Sequence, residues 1–228
     1  MHGNLIRALQ ERAARAQPAA HFEDVTGWLL RLAAGPSWWI GSVLPHADDD
    51  LARRIVHAER FYAAHDATAR FQITPGACSP RLDPILAARG YRAHTPVSLQ
   101  VARTAHIPSP PPGIRVVIEA HPTHATAQAF LDDETVSDAV SEGSAVVDTG
   151  WTGIFGMATV PAARGRGAAR AVLAALARWA PTDRLYLQVE RDNTAAQALY
   201  QRAGFKEIRE YHYRSGGVPG CAGPLRVW

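Results

Sequence analysis

Residues 159–170, which read Thr159-Val-Pro-Ala-Ala-Arg-Gly-Arg-Gly-Ala-Ala-Arg170, hold the most informative pattern in the chain. A strand pattern ends at Val160-Pro161, and a helical period of apolar residues begins after the second glycine. Such a turn directs several backbone N–H groups and the positive end of the helix dipole to one point. The guanidinium groups of Arg164, Arg166 and Arg170 match phosphate oxygens. The stretch therefore predicts a phosphate-binding loop. The alternative is a glycine-rich helix start with solvated arginines.

A second pattern follows the loop by one predicted helix and one predicted strand. It contains Asn193, Ala196, Leu199-Tyr200 and Gly204-Phe205. Together the two patterns resemble the GNAT superfamily of N-acetyltransferases, and the resemblance covers roughly residues 114–214. The first pattern is similar to that superfamily's Arg/Gln-x-x-Gly-x-Gly/Ala motif. The second is similar to its Asn-x-x-Ala-x-x-Leu-Tyr motif followed by Gly-Phe.

The resemblance implies an α/β (α+β) fold with a GNAT-type mixed central β-sheet flanked by helices. It implies that the strand ending at Val160 separates from the strand ending near Val189, and that the pantetheine arm of acetyl-CoA lies between them. The pyrophosphate would bind the backbone amides of residues 164–169. The cosubstrate contacts implied in this way are Met157, Ala158, Thr159, Val160, Arg164, Gly165, Arg166, Gly167, Ala168, Ala169, Arg170, Asn193, Ala196 and Tyr200.

The same resemblance implies roles in acyl transfer. Tyr200 would donate a proton to the leaving thiolate, and backbone N–H groups of residues 158–160 would bind the developing oxyanion. The alternative for Tyr200 is a tyrosine that packs in the core. The general base is open, because the strand Trp151–Val160 carries no carboxylate. A chain of water molecules could replace a direct base, and the side-chain candidates by position are Glu190, Asp133, Glu134 and Glu142.

The first half of the chain repeats the order of the second half without its chemistry. Residues 43–45, 69–73 and 85–91 follow one another in the same order as residues 159–161, 185–189 and 199–205. Asp48, Asp49 and Leu51 stand where the second half has Arg164, Gly165 and Gly167. Three successive aspartates would repel a pyrophosphate. We therefore expect the first half to bind no CoA.

These observations predict a tandem arrangement, and chance similarity of two α/β halves is the alternative. Residues 1–106 would be a degenerate GNAT-like half that serves as scaffold and substrate wall. Residues 107–113, Ile-Pro-Ser-Pro-Pro-Pro-Gly, would be a proline-rich linker. Residues 114–228 would be the catalytic domain with the acetyl-CoA site.

The composition excludes several classes of protein. Of 228 residues, 47% are hydrophobic and 20% are charged, which excludes wholesale disorder. Lys206 is the only lysine, the net charge is +3 and no basic tract is present, so we expect no nucleic-acid partner. No apolar run reaches the ~20 residues that span a bilayer, and no secretory signal is evident. We expect a cytoplasmic protein with no membrane partner. Cys78 and Cys221 have no metal-site spacing, so we expect no metal.

The leading hypothesis is an acetyl-CoA-dependent N-acetyltransferase. It would move the acetyl group to a primary amine of a small molecule or a peptide, by direct attack in a ternary complex. The protein would be a monomer or a homodimer. One alternative is a non-catalytic acyl-CoA-binding or sensor protein of the same fold. Another is a structural or partner-binding module.

Three local predictions complete the sequence reading. The pattern predicts a helix over His124–Glu134. It also predicts a strand over Ser37–Leu44 after a Gly35-Pro36 turn. The aspartates Asp48–Asp50 are expected to stabilise the first turn of a helix that begins near Leu51, because negative charge suits that end of a helix.

Overall fold

The chain divides into two compact units. A computed structural model describes residues 2–17, 19–34, 38–131 and 138–216. Unit 1 comprises Met1–Val97 and Arg209–Trp228, and unit 2 comprises Ser98–Ile208. The predicted boundaries at residues 107–113 do not coincide with this division, and they stay a prediction about two repeated halves.

The described chain contains five α-helices and eleven β-strands. The elements up to residue 103 are α1 (His2–Ala16), β1 (His21–Val25), β2 (Trp28–Leu32), β3 (Leu44–Pro45), α2 (Leu51–Ala63), β4 (Arg70–Ile73), α3 (Leu82–Ala88) and β5 (Arg92–Arg103). Those that follow are β6 (Ile114–Ala120), β7 (His124–Leu131), β8 (Ser141–Asp148), β9 (Trp151–Thr159), α4 (Ala168–Trp179), β10 (Arg184–Glu190), α5 (Thr194–Arg202) and β11 (Lys206–Ser215). The boundaries between the units fall inside β5 and β11.

Unit 1 builds its core around α2. Leu51, Ile55, Ala58 and Tyr62 recur at helical spacing and are buried, as the sequence pattern predicts. They belong to one core cluster with Trp28 and Phe71, among others. Strands β1, β2 and β3 form an antiparallel sheet, and β4 pairs antiparallel with the C-terminal part of β11.

The strand predicted over Ser37–Leu44 is wrong for the residues that the structure describes. Residues 38–40 form a turn, and β3 begins only at Leu44. Local hydrogen bonds hold the turn: the Ser42 N–H donates to the Ile40 carbonyl at 3.0 Å, and the Ser42 hydroxyl donates to the Trp39 carbonyl at 2.8 Å. The predicted Gly35-Pro36 turn lies outside the described residues.

Unit 2 contains a mixed sheet whose strand order is β11-β5-β10-β9-β8-β7-β6. The pairs from β6 to β9 are antiparallel, and β9 and β10 are parallel. Helices α4 and α5 pack their apolar faces on this sheet, with Val172, Leu173 and Leu176 from α4 and Tyr200 and Ala203 from α5 in one buried cluster. The mixed sheet flanked by helices confirms the predicted fold class.

The helix predicted over His124–Glu134 is wrong, because residues 124–131 form strand β7. Ala125, Ala127, Ala129 and Leu131 are buried, while the residues between them are exposed or half-buried. This alternation is the period of a strand with one buried face. The high helix propensity of alanine concealed it. Residues 132–137 lie outside the described part.

The proline-rich segment lies between β5 and β6. Residues 108–111 have no regular secondary structure, as their proline content predicts. Ile107 packs against the core of unit 2. Within the described residues, none of the helices has the length and apolar character needed to cross a membrane.

Candidate active site

Strands β9 and β10 separate after a short stretch of pairing. Their register pairs Leu185 with Thr152 and Tyr186 with Gly153, although β9 continues to Thr159 and β10 to Glu190. The backbone edges of the two strands are therefore unpaired with each other beyond this point. A gap between parallel strands offers N–H and C=O groups to an extended ligand. This is the opening that the resemblance predicted for a pantetheine arm.

The glycine-arginine loop lies at the end of β9 and starts α4. Residues 161–163 form one turn of 3₁₀ helix, and Gly167 is the N-cap of α4. Gly165 and Gly167 have positive φ angles of 76° and 92°, which L-residues with a side chain rarely adopt. The N–H groups of Ala168, Ala169 and Arg170 are in the first turn, where an α-helix provides no acceptor. These amides can therefore bind an anion.

Two amides that the sequence assigned to the pyrophosphate are used inside the loop. The Arg164 N–H donates to the Pro161 carbonyl at 3.2 Å, and the Arg166 N–H donates to the Ala163 carbonyl at 3.4 Å. Their side chains and that of Arg170 are exposed. Arg164 and Arg166 can therefore contribute guanidinium charge, while the backbone cradle is narrower than the predicted range of residues 164–169.

The proline-rich segment packs against this loop. A Cβ atom built at Gly167 would lie 3.1 Å from Cγ of Pro111 and 3.5 Å from Cδ1 of Ile114. A Cβ atom at Gly165 would meet nothing within 4 Å. Gly167 is therefore required both by its backbone conformation and by a close neighbour, and Gly165 by its conformation alone.

Strand β9 is irregular where it lies beside the gap. Gly156 has a φ of 60°, and the register between β8 and β9 shifts between Glu142 and Ser144. A Cβ atom at Gly143 of β8 would lie 2.4 Å from the sulfur of Met157. A bulge of this kind redirects the backbone of a strand. It lies between Phe155 and Ala158 and so reaches the start of the segment, Met157–Val160, to which the sequence assigned the pantetheine arm.

One predicted oxyanion donor is not available. The Val160 N–H donates to the Val140 carbonyl at 2.9 Å, so it points away from the gap. Successive amides of a strand point to opposite edges. The Thr159 N–H is therefore directed to the other edge of β9, which is the edge next to β10. Of the N–H groups of residues 158–160 that were predicted to bind the oxyanion, Thr159 is the remaining candidate.

Tyr200 lies on the inner face of α5. It is 6% exposed, and its ring centroid is 5.7 Å from that of Phe205 in an edge-to-face arrangement. Burial raises the pKa of Tyr200 to about 12, so the phenol is protonated at neutral pH. Among the described residues the hydroxyl has no hydrogen-bond partner. Tyr200 therefore packs as a core tyrosine, and its phenol keeps its proton at neutral pH.

Asn193 has a structural role at the start of α5. It is the N-cap, and its Oδ1 accepts a hydrogen bond from the Ala196 N–H at 3.1 Å. The predicted pair Asn193 and Ala196 is therefore brought together directly. This bond fixes the direction of the helix that carries Tyr200.

The four predicted base candidates differ in their surroundings. Glu190, the last residue of β10, is half-buried, and burial followed by the nearby Asp192 carboxylate raises the pKa of Glu190. Glu142 is exposed on β8. Asp133 and Glu134 lie outside the described residues. These surroundings favour proton uptake by the Glu190 carboxylate more than water does.

A buried polar network holds the turn after Glu190, and the sequence reading missed it. The Gln197 Nε2 donates to the Glu190 carbonyl at 3.2 Å, and the Gln197 Oε1 accepts from the Gln100 Nε2 at 3.0 Å. Gln100 also donates to the Ser98 hydroxyl at 3.0 Å.

The network closes on the residue next to Glu190. The Ser98 hydroxyl donates to the Glu207 carboxylate at 2.5 Å, and Arg191 binds the same carboxylate at 2.5 Å. Residues 190 and 191 are thus tied to β5, α5 and β11 within unit 2. Only the polar residues of β5 at alternate positions, Ser98 and Gln100, could have indicated the network from sequence.

The described residues contain no group of three or more His, Cys, Asp or Glu side chains arranged to hold a metal ion. Cys78 is half-buried, its thiol donates to the Thr74 carbonyl at 3.2 Å, and burial raises the pKa of that thiol. Cys221 lies outside the described residues. Cys78 therefore has no feature of a reactive thiol.

Comparison with known proteins shows what the chain is similar to. The model of the acetyltransferase (GNAT) family matches residues 110–205. The chain is 26% identical over 246 residues to the uncharacterized N-acetyltransferase YobR of Bacillus subtilis (strain 168), covering 92% of this chain and 98% of that protein.

Solved structures show that the fold is shared over most of the chain. A GCN5-related N-acetyltransferase from Kribbella flavida superposes with a TM-score of 0.72 at 15% identity, covering 95% of this chain and 96% of that one. A tandem GNAT protein from the clavulanic acid biosynthesis pathway gives a TM-score of 0.61 at 14% identity, covering 83% and 78%. Residues 110–205 thus match the model of the GNAT acetyltransferase family, and the chain is similar in fold to GNAT proteins.

Proposed function

We propose that this protein transfers the acetyl group of acetyl-CoA to a primary amine by direct attack in a ternary complex. The observation that carries the proposal is the coincidence, in one unit, of the gap between β9 and β10 with the positive-φ loop that starts α4. One feature suits an extended arm and the other suits a pyrophosphate. Acetyl-CoA, when bound, supplies a thioester carbonyl that an amine can attack.

The residues of the loop fit the binding role. The amides of Gly167–Arg170 would bind phosphate oxygens, and Arg164 would add a charge-assisted contact. The backbone of Met157–Thr159 would pair with the pantetheine arm along the free edge of β9. The available donors are guanidinium groups and backbone amides, which suit an anion such as a pyrophosphate.

Two side chains would move protons. The ammonium form loses one proton to solvent, the free amine attacks the carbonyl carbon, and Glu190 would accept the second proton that the nitrogen loses as the amide forms. The C–S bond breaks with its electron pair on sulfur, and Tyr200 would donate its phenolic proton to that thiolate. The N–H of Thr159 would stabilise negative charge on the carbonyl oxygen. Glu190 returns its proton to solvent, and Tyr200 is reprotonated from solvent.

The alternative is a non-catalytic acyl-CoA sensor of the same fold. The observation in its favour is the tight packing of Tyr200 in the core of unit 2. A sensor would bind acetyl-CoA and would release no thiol in the presence of amines. A structural module would bind no CoA at all.

The experiment is a thiol-release assay with acetyl-CoA and a panel of small amines, amino acids, polyamines, aminoglycosides and peptides, combined with calorimetric CoA binding. We expect thiol release with at least one amine class. Tyr200→Phe keeps the ring contact with Phe205 but removes the donor, so turnover should fall by about 10²-fold or more while CoA affinity is kept. Equal turnover in the variant would remove Tyr200 from the mechanism.

A further inference from the structure

A buried arginine in unit 1 lacks an acidic partner. Arg31 on β2 is 7% exposed. Its Nε donates to the Ser42 carbonyl at 3.5 Å, and one Nη donates to the Ser42 hydroxyl at 3.2 Å and the Trp39 carbonyl at 3.5 Å. These contacts are long and neutral, and burial lowers the pKa of this guanidinium. A cation at this depth is normally paired with a carboxylate.

A second cation, Arg70 on β4, lies in the same neighbourhood. The Tyr62 hydroxyl donates to the Arg31 carbonyl at 2.8 Å and accepts from the Arg31 N–H at 3.2 Å, and both arginine charges act on that phenol. Burial raises the pKa of Tyr62 to about 12, so the phenol is neutral and is no counter-ion. Arg70 is half-buried, and its side chain has no hydrogen bond or ion pair with a described residue.

Aromatic rings lie in the same part of unit 1, because Arg31 contacts the carbonyl of Trp39, next to Trp38, and Arg70 pairs in register with Ser215, two residues after Tyr213. The ring centroid of Trp38 is 4.9 Å from that of Tyr213 and 5.5 Å from that of His94. Burial and then the positive charge of Arg70 and His212 lower the pKa of His94, and its Nε2 lies 2.6 Å from the Ser215 hydroxyl. Trp38, His94 and Arg70 are half-buried, so the cluster reaches the surface of unit 1.

Three carboxylates of unit 1 bind other side chains. Asp83 binds Arg214 and His212, Asp49 binds Arg54, and Glu59 accepts from the Tyr91 hydroxyl. Neither Arg31 nor Arg70 contacts an acidic residue of the described chain. The parts of unit 1 outside the described residues, namely 1, 18, 35–37 and 217–228, contain no aspartate or glutamate. Among the described residues of this unit, no acidic side chain therefore contacts either guanidinium group.

We propose that Arg31 and Arg70 form a binding site for a small organic carboxylate, whose apolar body packs against the rings of Trp38 and Tyr213. The planar guanidinium fork matches a carboxylate. A single negative charge would neutralise the buried Arg31, and a flat body matches the aromatic border. The site lies within unit 1 and is independent of the acetyl-CoA site proposed for unit 2.

The first test compares probes of one shape and different charge on the full chain. Benzoate should shift the NMR signal of the Arg31 side-chain Nε–Hε group and change tryptophan fluorescence, while benzamide, its neutral analogue, should do neither. Equal responses to the two probes would overturn the proposal. Tighter binding of phenylphosphonate than of benzoate would also overturn it, because the site would then prefer a phosphate-like dianion.

Variants separate binding from a structural role. Arg31→Met should abolish the benzoate response and, without benzoate, raise Tm, because it removes a buried charge that has no partner. A lower Tm for the ligand-free variant would show that Arg31 is a structural residue and would contradict the proposal.

A second variant avoids the core. Arg70→Gln, at a half-buried position, should weaken benzoate binding at least tenfold, whereas Arg53→Gln, at an exposed position on α2, should leave it unchanged. The same benzoate affinity in both variants would contradict the proposal.

Discussion

Helices α2 and α4 begin with the same backbone conformation and the opposite charge. The N-cap of α2 is Asp50, with φ of 46°, and the N-cap of α4 is Gly167, with φ of 92°. Both are left-handed, and neither makes a side-chain capping hydrogen bond. The shared conformation agrees with the predicted repeat, which stays a prediction. It also means that backbone geometry alone does not make an anion site.

The charges around the two helix starts determine which of them can attract an anion. At α2 the Asp49 carboxylate binds the buried Arg54 guanidinium with two hydrogen bonds of 3.0 and 2.9 Å. Asp50 makes no side-chain cap bond and Asp49 pairs with a side chain, so the stabilisation of this helix start by the aspartate charges stays a prediction. At α4 the exposed residues are arginines. A phosphate would be repelled at the first helix start and attracted at the second.

The largest expected effect comes from reversing the charge at α4. Arg164→Glu puts a carboxylate at the helix start where the second half is positively charged and the first half is negatively charged. We expect CoA affinity to fall by about 100-fold, because charged hydrogen bonds contribute ~1.5–3 kcal/mol. Calorimetry measures it. Arg202→Glu, an equally exposed arginine on α5, is the matched control and should change affinity little. Unchanged binding in Arg164→Glu would refute the loop assignment.

A smaller effect is expected from adding a methyl group at the two loop glycines. Gly167→Ala combines left-handed strain with the contact to Pro111 and should lower the free energy of unfolding by about 2 kcal/mol. Gly165→Ala has open space around it and should cost about 1 kcal/mol, from strain alone. Denaturant unfolding measures both. If the two variants were equally stable, the Pro111 contact would have no energetic role.

Strands β10 and β4, which correspond in the predicted repeat, also end in residues of different charge. Strand β10 ends at Glu190, whereas β4 is followed by Thr74, which has no charge. Burial and the Asp192 carboxylate raise the pKa of Glu190, so activity should rise with pH as this group loses its proton, above the usual range of a glutamate near 4.3. Asp192→Asn removes a like charge and should move the midpoint of the kcat/KM profile to lower pH. A midpoint that stays put, or rises, would exclude Glu190 as the titrating base.

The smallest effect is expected at α2. The Arg54 guanidinium lowers the pKa of Asp49 through its hydrogen bonds, so this pair stabilises the fold at pH values above the unfolded-state pKa, near 3.9. The stabilisation is lost as the pH falls through the lowered folded-state pKa. Asp49→Asn should therefore lower Tm slightly at pH 7 and not at all at the acidic end, with CoA binding unaffected. Weaker CoA binding would mean that α2 takes part in the site.

The loop conformation follows from local sequence signals, whereas its role as a cosubstrate site stays a prediction. The loop glycines and arginines lie within a few residues of the helix that they precede, so turn chemistry is enough to predict the conformation. The predicted separation of β9 from β10 came from the resemblance, and the strand register agrees with it.

The parts that the sequence did not predict depend on distant residues. The Val160 amide is used by Val140 across a strand pair, and the network behind Glu190 joins Ser98, Gln197 and Glu207. None of these contacts has a local pattern. The strand β7 was missed for a different reason: its alternating alanines have the period of a strand, and sheet pairing on both sides outweighs their helix propensity.

The contact between Pro111 and Gly167 makes the packing of two segments, more than fifty positions apart, depend on each other. A designer who grafts the loop of residues 159–170 onto another scaffold would have to carry the proline-rich segment with it, or replace the surface it provides. In evolution the same contact restricts both partners at once: a side chain at position 167 becomes tolerable only after the proline ring has moved.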